Sequence, residues 1–189
     1  MTGTWWEQLA APSAAAPSVL VLASLVVAAA VVLPRPTWPV VRHAVTLVHE
    51  GGHALAALVS GRRLHGVRLH SDSSGLTVSR GPRRGLGAVV TLAAGYPAPA
   101  LLGLACAAAV SRGYVLAVLV VLPVALVLLL LQVRNFFGLW VVLVVGVTLV
   151  GAAWYLPDVW QQAFAHAVTW FLLLAASAPT GRTPTSSPG

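Results

Sequence analysis

Charge is what this sequence has least of. Only 8% of its 189 residues are charged, against 58% hydrophobic residues and a mean hydropathy of +0.88, a balance that excludes a soluble globular domain and places the chain among membrane proteins. Lysine is missing altogether, so the formal net charge of +7 is carried by arginine. The arginines cluster in short loops beside apolar runs. Neither the interleaved aromatics nor the soluble basic face that nucleic acid needs is present, so the expected partner is the lipid bilayer and no nucleic acid. A single cysteine, Cys106, rules out an internal disulfide and reads as a small buried hydrophobe. The N-terminal stretch lacks the basic n-region of a secretory signal and is expected to be retained, with Trp5 and Trp6 in an interfacial belt.

What the chain does have is a succession of apolar runs. A spanning helix needs about 20 mostly apolar residues, and the candidates are Ser18–Leu33, Trp38–Ser60, Leu86–Val110, Tyr114–Val133, Gly138–Leu156 and Val159–Ala178. The fold class is therefore an all-α polytopic membrane protein with about six transmembrane helices, or five if the weak first or last run is demoted. Residues 1–178 read as one integral membrane domain with no internal repeat. The Pro-, Ser- and Thr-rich tail 179–189 reads as disordered. Placing both termini on the cytoplasmic side leaves only Arg35 and Arg112 in outer loops and puts Arg62, Arg63, Arg68, Arg80, Arg83, Arg84, Arg134 and Arg182 inside, as the positive-inside rule asks.

The one long connection, Gly61–Gly85, alternates apolar and polar residues on either side of "SDSSG". It predicts a small β-hairpin, expected at the cytoplasmic interface because an unpaired strand edge is not tolerated in hydrocarbon.

Within the second run, "TLVHEGGHALAAL" places three ionisable groups in an apolar setting. His49 and His53 are four residues apart, about 40° of rotation and about 6 Å of rise on a helix, so both imidazoles can reach one metal ion. Glu50 follows the first of them and can take a proton from a metal-bound water instead of ligating. Gly51 and Gly52 cost about 1 kcal/mol each in helix propensity relative to alanine, which points to a need for room beside this helix. Ionisable side chains inside a membrane are costly unless paired, metallated or hydrated, and mark functional sites.

These residues resemble the site-2 protease class of intramembrane zinc metalloproteases, and within it the small bacterial M50B-like membrane proteins. "VHEGGHALAALVSGRRLHGVRL" resembles the family's zinc-binding helix running into a Gly-basic turn and strand. "AAGYPAPALLG" resembles its small-residue and proline segment, and "VRNFFGLW" falls where a later helix carries the remaining metal ligand. The resemblance spans roughly Trp38 to Trp170. It implies zinc as cofactor, His49 and His53 as ligands, Glu50 as general base, a bacterial cell-membrane location, and hydrolysis of peptide bonds in or near transmembrane segments of a membrane-protein substrate. It also implies that the strands could hold that substrate as an added strand.

The sequence departs from the family at two points. The later helix's aspartate is replaced by Asn135, whose amide oxygen can coordinate without supplying charge, and the family's catalytic-site asparagine has no counterpart around "GYPAP". Asn135 is the first candidate for a third ligand, with a helix-end cap as its alternative role. His166, inside the sixth run, and Asp158, beside Pro157, are weaker candidates. "GYPAP" itself reads either as a kink opening a cavity beside the zinc helix or as a tolerated break. Two other functions fit the same residues: a catalytically inactive relative acting as a membrane-protein binding partner or chaperone, and a small metal or proton transporter lined by His49, Glu50, His53 and His166.

Overall fold

The computed structural model describes residues 5–82 and 84–178. Their elements run α1 (Trp5–Ala10), α2 (Ser18–Val32), α3 (Trp38–Val59), β1 (Arg63–Leu69), β2 (Gly75–Arg80), α4 (Leu86–Ala93), α5 (Ala98–Val110), α6 (Val115–Leu130), α7 (Phe136–Tyr155) and α8 (Asp158–Ser177). The side chains of Trp5 and Trp6 and the expected disordered tail lie outside the described residues.

Every predicted apolar run is helical, and the expectation of about six crossings is met in part by length and apolarity. Among the described residues α7 and α8 are long and apolar enough to cross a membrane, and the bent pair α4–α5 makes a third span if counted as one. The helices α2 and α6 have 15 and 16 residues, roughly 23 Å of helix against about 30 Å of hydrocarbon. A cause for the end of α6 is visible. Val67 N–H donates to the Gln132 carbonyl at 2.8 Å and Arg134 N–H donates to the Val67 carbonyl at 2.9 Å, so the chain leaves the helix to pair with β1. The run Leu86–Val110, expected as one helix, bends by 73° between α4 and α5, where Pro97 and Pro99 remove backbone donors and disfavour helix in the residues before them.

The helices close around two apolar clusters. One is built by α5, α6 and α8 around Cys106, Leu119 and Leu172; the other joins α3, β1 and α7 around Leu47, Val67 and Val142. The buried residues of α3, namely Leu47, Glu50, Ala54 and Ala57, recur at helical spacing and form one stripe. Glu50 is thus a carboxylate set in the face that packs inward.

Against that stripe lies the hairpin. Strands β1 and β2 are antiparallel, with a bulge between Leu64 and Gly66. From the end of α3 the hairpin folds back along that helix. Its turn reaches Thr46, whose hydroxyl bonds the Ser73 carbonyl at 3.0 Å, and His43, whose Nε2 is 3.4 Å from Ser73 Oγ. Protein shields one of its edges. The outer edge of β1 is paired with residues 132–134, and a Cβ at Gly66 would strike the Arg134 side chain and the Gln132 carbonyl. The other edge belongs to β2 and has no strand beside it among the described residues.

Candidate active site

The motif on α3 divides between two neighbours. Glu50 faces the hairpin, whereas His49 and His53 face the bend between α4 and α5. The Glu50 side chain, 4% exposed, accepts a 2.5 Å hydrogen bond at Oε2 from the Thr77 hydroxyl on β2. Gly75, two residues earlier on the same strand, passes so close that a Cβ there would collide with the Glu50 carboxylate. Glycine at position 75 is what lets the strand lie over the acid.

On the other side, His53 Nδ1 lies 2.7 Å from the Thr91 carbonyl. A carbonyl only accepts, so Nδ1 must carry the proton and a neutral His53 presents its lone pair at Nε2. That nitrogen is 3.1 Å from His49 Nε2. Two zinc–nitrogen bonds of about 2.0–2.1 Å at a tetrahedral angle would put their nitrogens roughly 3.4 Å apart, so the rings are set close to the spacing that shared coordination demands. The Tyr96 ring meets His49 edge-on with centroids 5.2 Å apart.

Gly95 completes the cradle. A Cβ at this position would lie against both Nε2 atoms, 2.7 Å from that of His49. The sequence explains the approach, because Gly95-Tyr96-Pro97 is where the helix breaks and presents backbone to α3. Gly52 allows the same approach from the α3 side, since a Cβ there would be 2.5 Å from Ala98 Cβ and 2.8 Å from the Ala94 carbonyl oxygen. The room expected beside the paired glycines is therefore used at Gly52 by the bend, while Gly51 has nothing nearer than Leu129 Cδ2 at 4.0 Å.

His49, Glu50 and His53 open into a cavity of about 590 Å³ whose remaining walls include Arg62, the β2 residues Gly75–Ser79, and Ala88, Thr91 and Leu92 of α4. The open edge of β2 and the flank of α4 form its two sides. The site residues that sequence reasoning did not name are Thr77, Gly75, Thr91 and Gly95. Of these only Gly95 carried a signal, in the "GYPAP" breaker, and it is the first of the two readings of that segment that matches the geometry.

The three other candidates are elsewhere. Asn135 immediately precedes α7, and both ends of its amide are engaged by one residue of β1: Oδ1 accepts from Leu69 N–H at 3.2 Å and Nδ2 donates to the Leu69 carbonyl at 2.6 Å. It lines a different cavity, with Val133, Arg134 and Leu139. The structure does not bring it to the imidazoles. His166 Nδ1 bonds the Gln162 carbonyl one turn back in α8 at 2.8 Å, and Asp158 is exposed in the first turn of α8. Among the described residues no three His, Cys, Asp or Glu side chains are grouped to hold a metal ion.

No curated protein and no solved structure matches this chain. A model of one protein family does, described as Peptidase M50B-like and matching residues 22–185. With a match over most of its length, and with the His-Glu-x-x-His helix packed as described, the chain belongs to the Peptidase M50B-like family.

Proposed function

We propose that this protein is an intramembrane zinc metallopeptidase that hydrolyses peptide bonds in or near transmembrane segments of membrane proteins. The observation that carries the reading is the pair of Nε2 atoms 3.1 Å apart over Gly95, in one cavity with the Glu50 carboxylate. His49 and His53 would hold the metal, and the Gly95 cradle that a Cβ would fill fits an ion between the rings. Zinc, when bound, supplies Lewis-acid polarisation of the scissile carbonyl and lowers the pKa of water toward about 7.

The chain's own residues do the rest. Thr77 fixes Oε2 of Glu50, which leaves Oε1 to take the proton of the attacking water and pass it to the leaving amide nitrogen. The Thr91 carbonyl fixes the His53 tautomer, as the outer partners of metal-binding histidines do. The free edge of β2 receives the substrate as an extended strand, which suits the chemistry because a peptide bond inside a helix is shielded from attack. In this reading the protein resides in the bacterial cell membrane with its termini cytoplasmic.

One observation favours a second reading. The amide of Asn135 is engaged with Leu69 and no third ligand side chain joins the histidines among the described residues, as in a relative that keeps the fold and the metal but acts as a binding partner. Zinc content and cleavage of single-span reporter peptides in liposomes separate the two. For the protease, His53→Ala loses zinc and activity, while Glu50→Gln keeps zinc and loses activity. A parent protein that binds zinc and cleaves no reporter points to the binding partner; a parent that binds no zinc ends both metal readings.

A further inference from the structure

The base of the hairpin carries a charge arrangement that the catalytic reading does not use. Arg63 and Arg80 are directly opposite one another across the two strands, a like-charge pairing that destabilises a hairpin unless something neutralises it. Both are exposed, as is Arg84 just beyond β2. Among the described residues nothing is placed to neutralise them. Its acidic residues number four: Glu50 lies beneath Thr77, Asp72 holds Ser74 at the opposite end of the hairpin, Glu7 is in α1 and Asp158 opens α8. The side chains of Arg63, Arg80 and Arg84 make no hydrogen bond or ion pair with the other described residues.

Their surroundings say what kind of anion fits. The end of α3 and the start of α4 touch here, where a Cβ on Gly87 would be 3.2 Å from Ser60 Cβ. Both helix ends present bare apolar side chains, with Val59 81% and Leu86 84% exposed. Apolar surface gives way to arginine at the same level on two helices and a hairpin, which is the profile of a protein crossing from acyl chains to headgroups. An acidic protein or a nucleic acid would meet the arginines but leave that apolar rim in water.

We propose that Arg63, Arg80 and Arg84 form a binding site for the phosphate of an anionic phospholipid headgroup, whose acyl chains cover the adjoining ends of α3 and α4. The site adjoins the cavity mouth. Arg62, next in the chain, lines the cavity and ties the end of β2 to the following loop through Ser79 Oγ at 3.3 Å and the Pro82 carbonyl at 2.8 Å. A headgroup bound here steadies the end of the strand that flanks the catalytic cavity. The inference rests on the membrane placement above but not on zinc or on Glu50.

The test reconstitutes the full chain into vesicles of equimolar phosphatidylcholine and phosphatidylglycerol, extracts it in mild detergent, and measures both co-purifying lipids by mass spectrometry. The parent should be enriched in phosphatidylglycerol, by roughly fivefold for each arginine that contributes, and should gain thermal stability when that lipid is added back. Arg63→Gln/Arg80→Gln should lose most of the enrichment, while Arg63→Lys/Arg80→Lys keeps it. Arg63→Glu separates loss of the site from misfolding, because a carboxylate opposite Arg80 should raise stability in phosphatidylcholine alone while abolishing the response to phosphatidylglycerol. Equal enrichment in parent and Gln variant overturns the proposal, as does no enrichment in the parent. Stabilisation by inorganic phosphate as strong as that by phosphatidylglycerol shows a simple anion site and overturns the lipid assignment. Zinc content unchanged across the series keeps the outcome separate from the fate of the catalytic reading.

Discussion

Replacing Gly95 by alanine isolates the feature on which metal binding should depend. Gly95 is not among the glycines with left-handed backbone, so alanine is tolerated by the chain and the whole effect is collision. The new methyl would sit 2.7 Å from both His49 Nε2 and His53 Cδ2, roughly an ångström inside ordinary contact. One ring must retreat. His53 cannot do so without giving up the Thr91 carbonyl at 2.7 Å, nor His49 without shifting from the Tyr96 ring. Disturbing the outer support of a ligating histidine costs about 10- to 100-fold in metal affinity, or about 1.4–2.7 kcal/mol. Competition with a chromogenic chelator in detergent measures zinc affinity, and circular dichroism checks that helix content is intact. An alanine variant that is folded and binds zinc within about threefold of the parent would refute the claim that the bend between α4 and α5 shapes this site.

The two glycines of the motif should behave oppositely. Gly52→Ala drives a methyl into Ala98 and the Ala94 carbonyl and should destabilise by about 1–3 kcal/mol, whereas Gly51→Ala meets only Leu129 at ordinary contact distance and should be neutral or stabilising by up to about 1 kcal/mol; thermal unfolding in detergent reads both, and equal effects would contradict the packing. Asn135→Ala strands the Leu69 N–H and carbonyl and should cost about 1–3 kcal/mol with zinc content unchanged. Loss of zinc without loss of stability in that variant would make Asn135 a ligand after all.

How much of this was legible beforehand depends on the range of the interaction. The positions of the helices follow from apolar runs, and the hairpin from period-two alternation about a turn in which Asp72 caps Ser74; these are local. His49, Glu50 and His53 were legible because helical spacing alone fixes their relation. Where the hairpin lies was not, since alternation in Val67 and Leu69 says that one face is buried and does not say by what, and it is Leu47 of α3 and Val142 of α7 that cover it. The length of α6 was not legible for a related reason. Nothing near Leu130 announces that residues 132–134 will leave a helix to join a strand some 66 residues earlier. Asn135 illustrates the limit most sharply: its place in the sequence resembles a ligand's, yet its amide mimics one more residue of a sheet.

The two edges of the hairpin are unequal: one is paired with the stretch before α7, and the other has no strand beside it among the described residues. In the proposed peptidase reading the stretch before α7 already occupies the outer backbone bonds of β1, so a substrate would pair along β2, on the side facing α4, and would have to be extended to do so. Under that proposal, segments that uncoil with ease would be favoured over those that hold their coil.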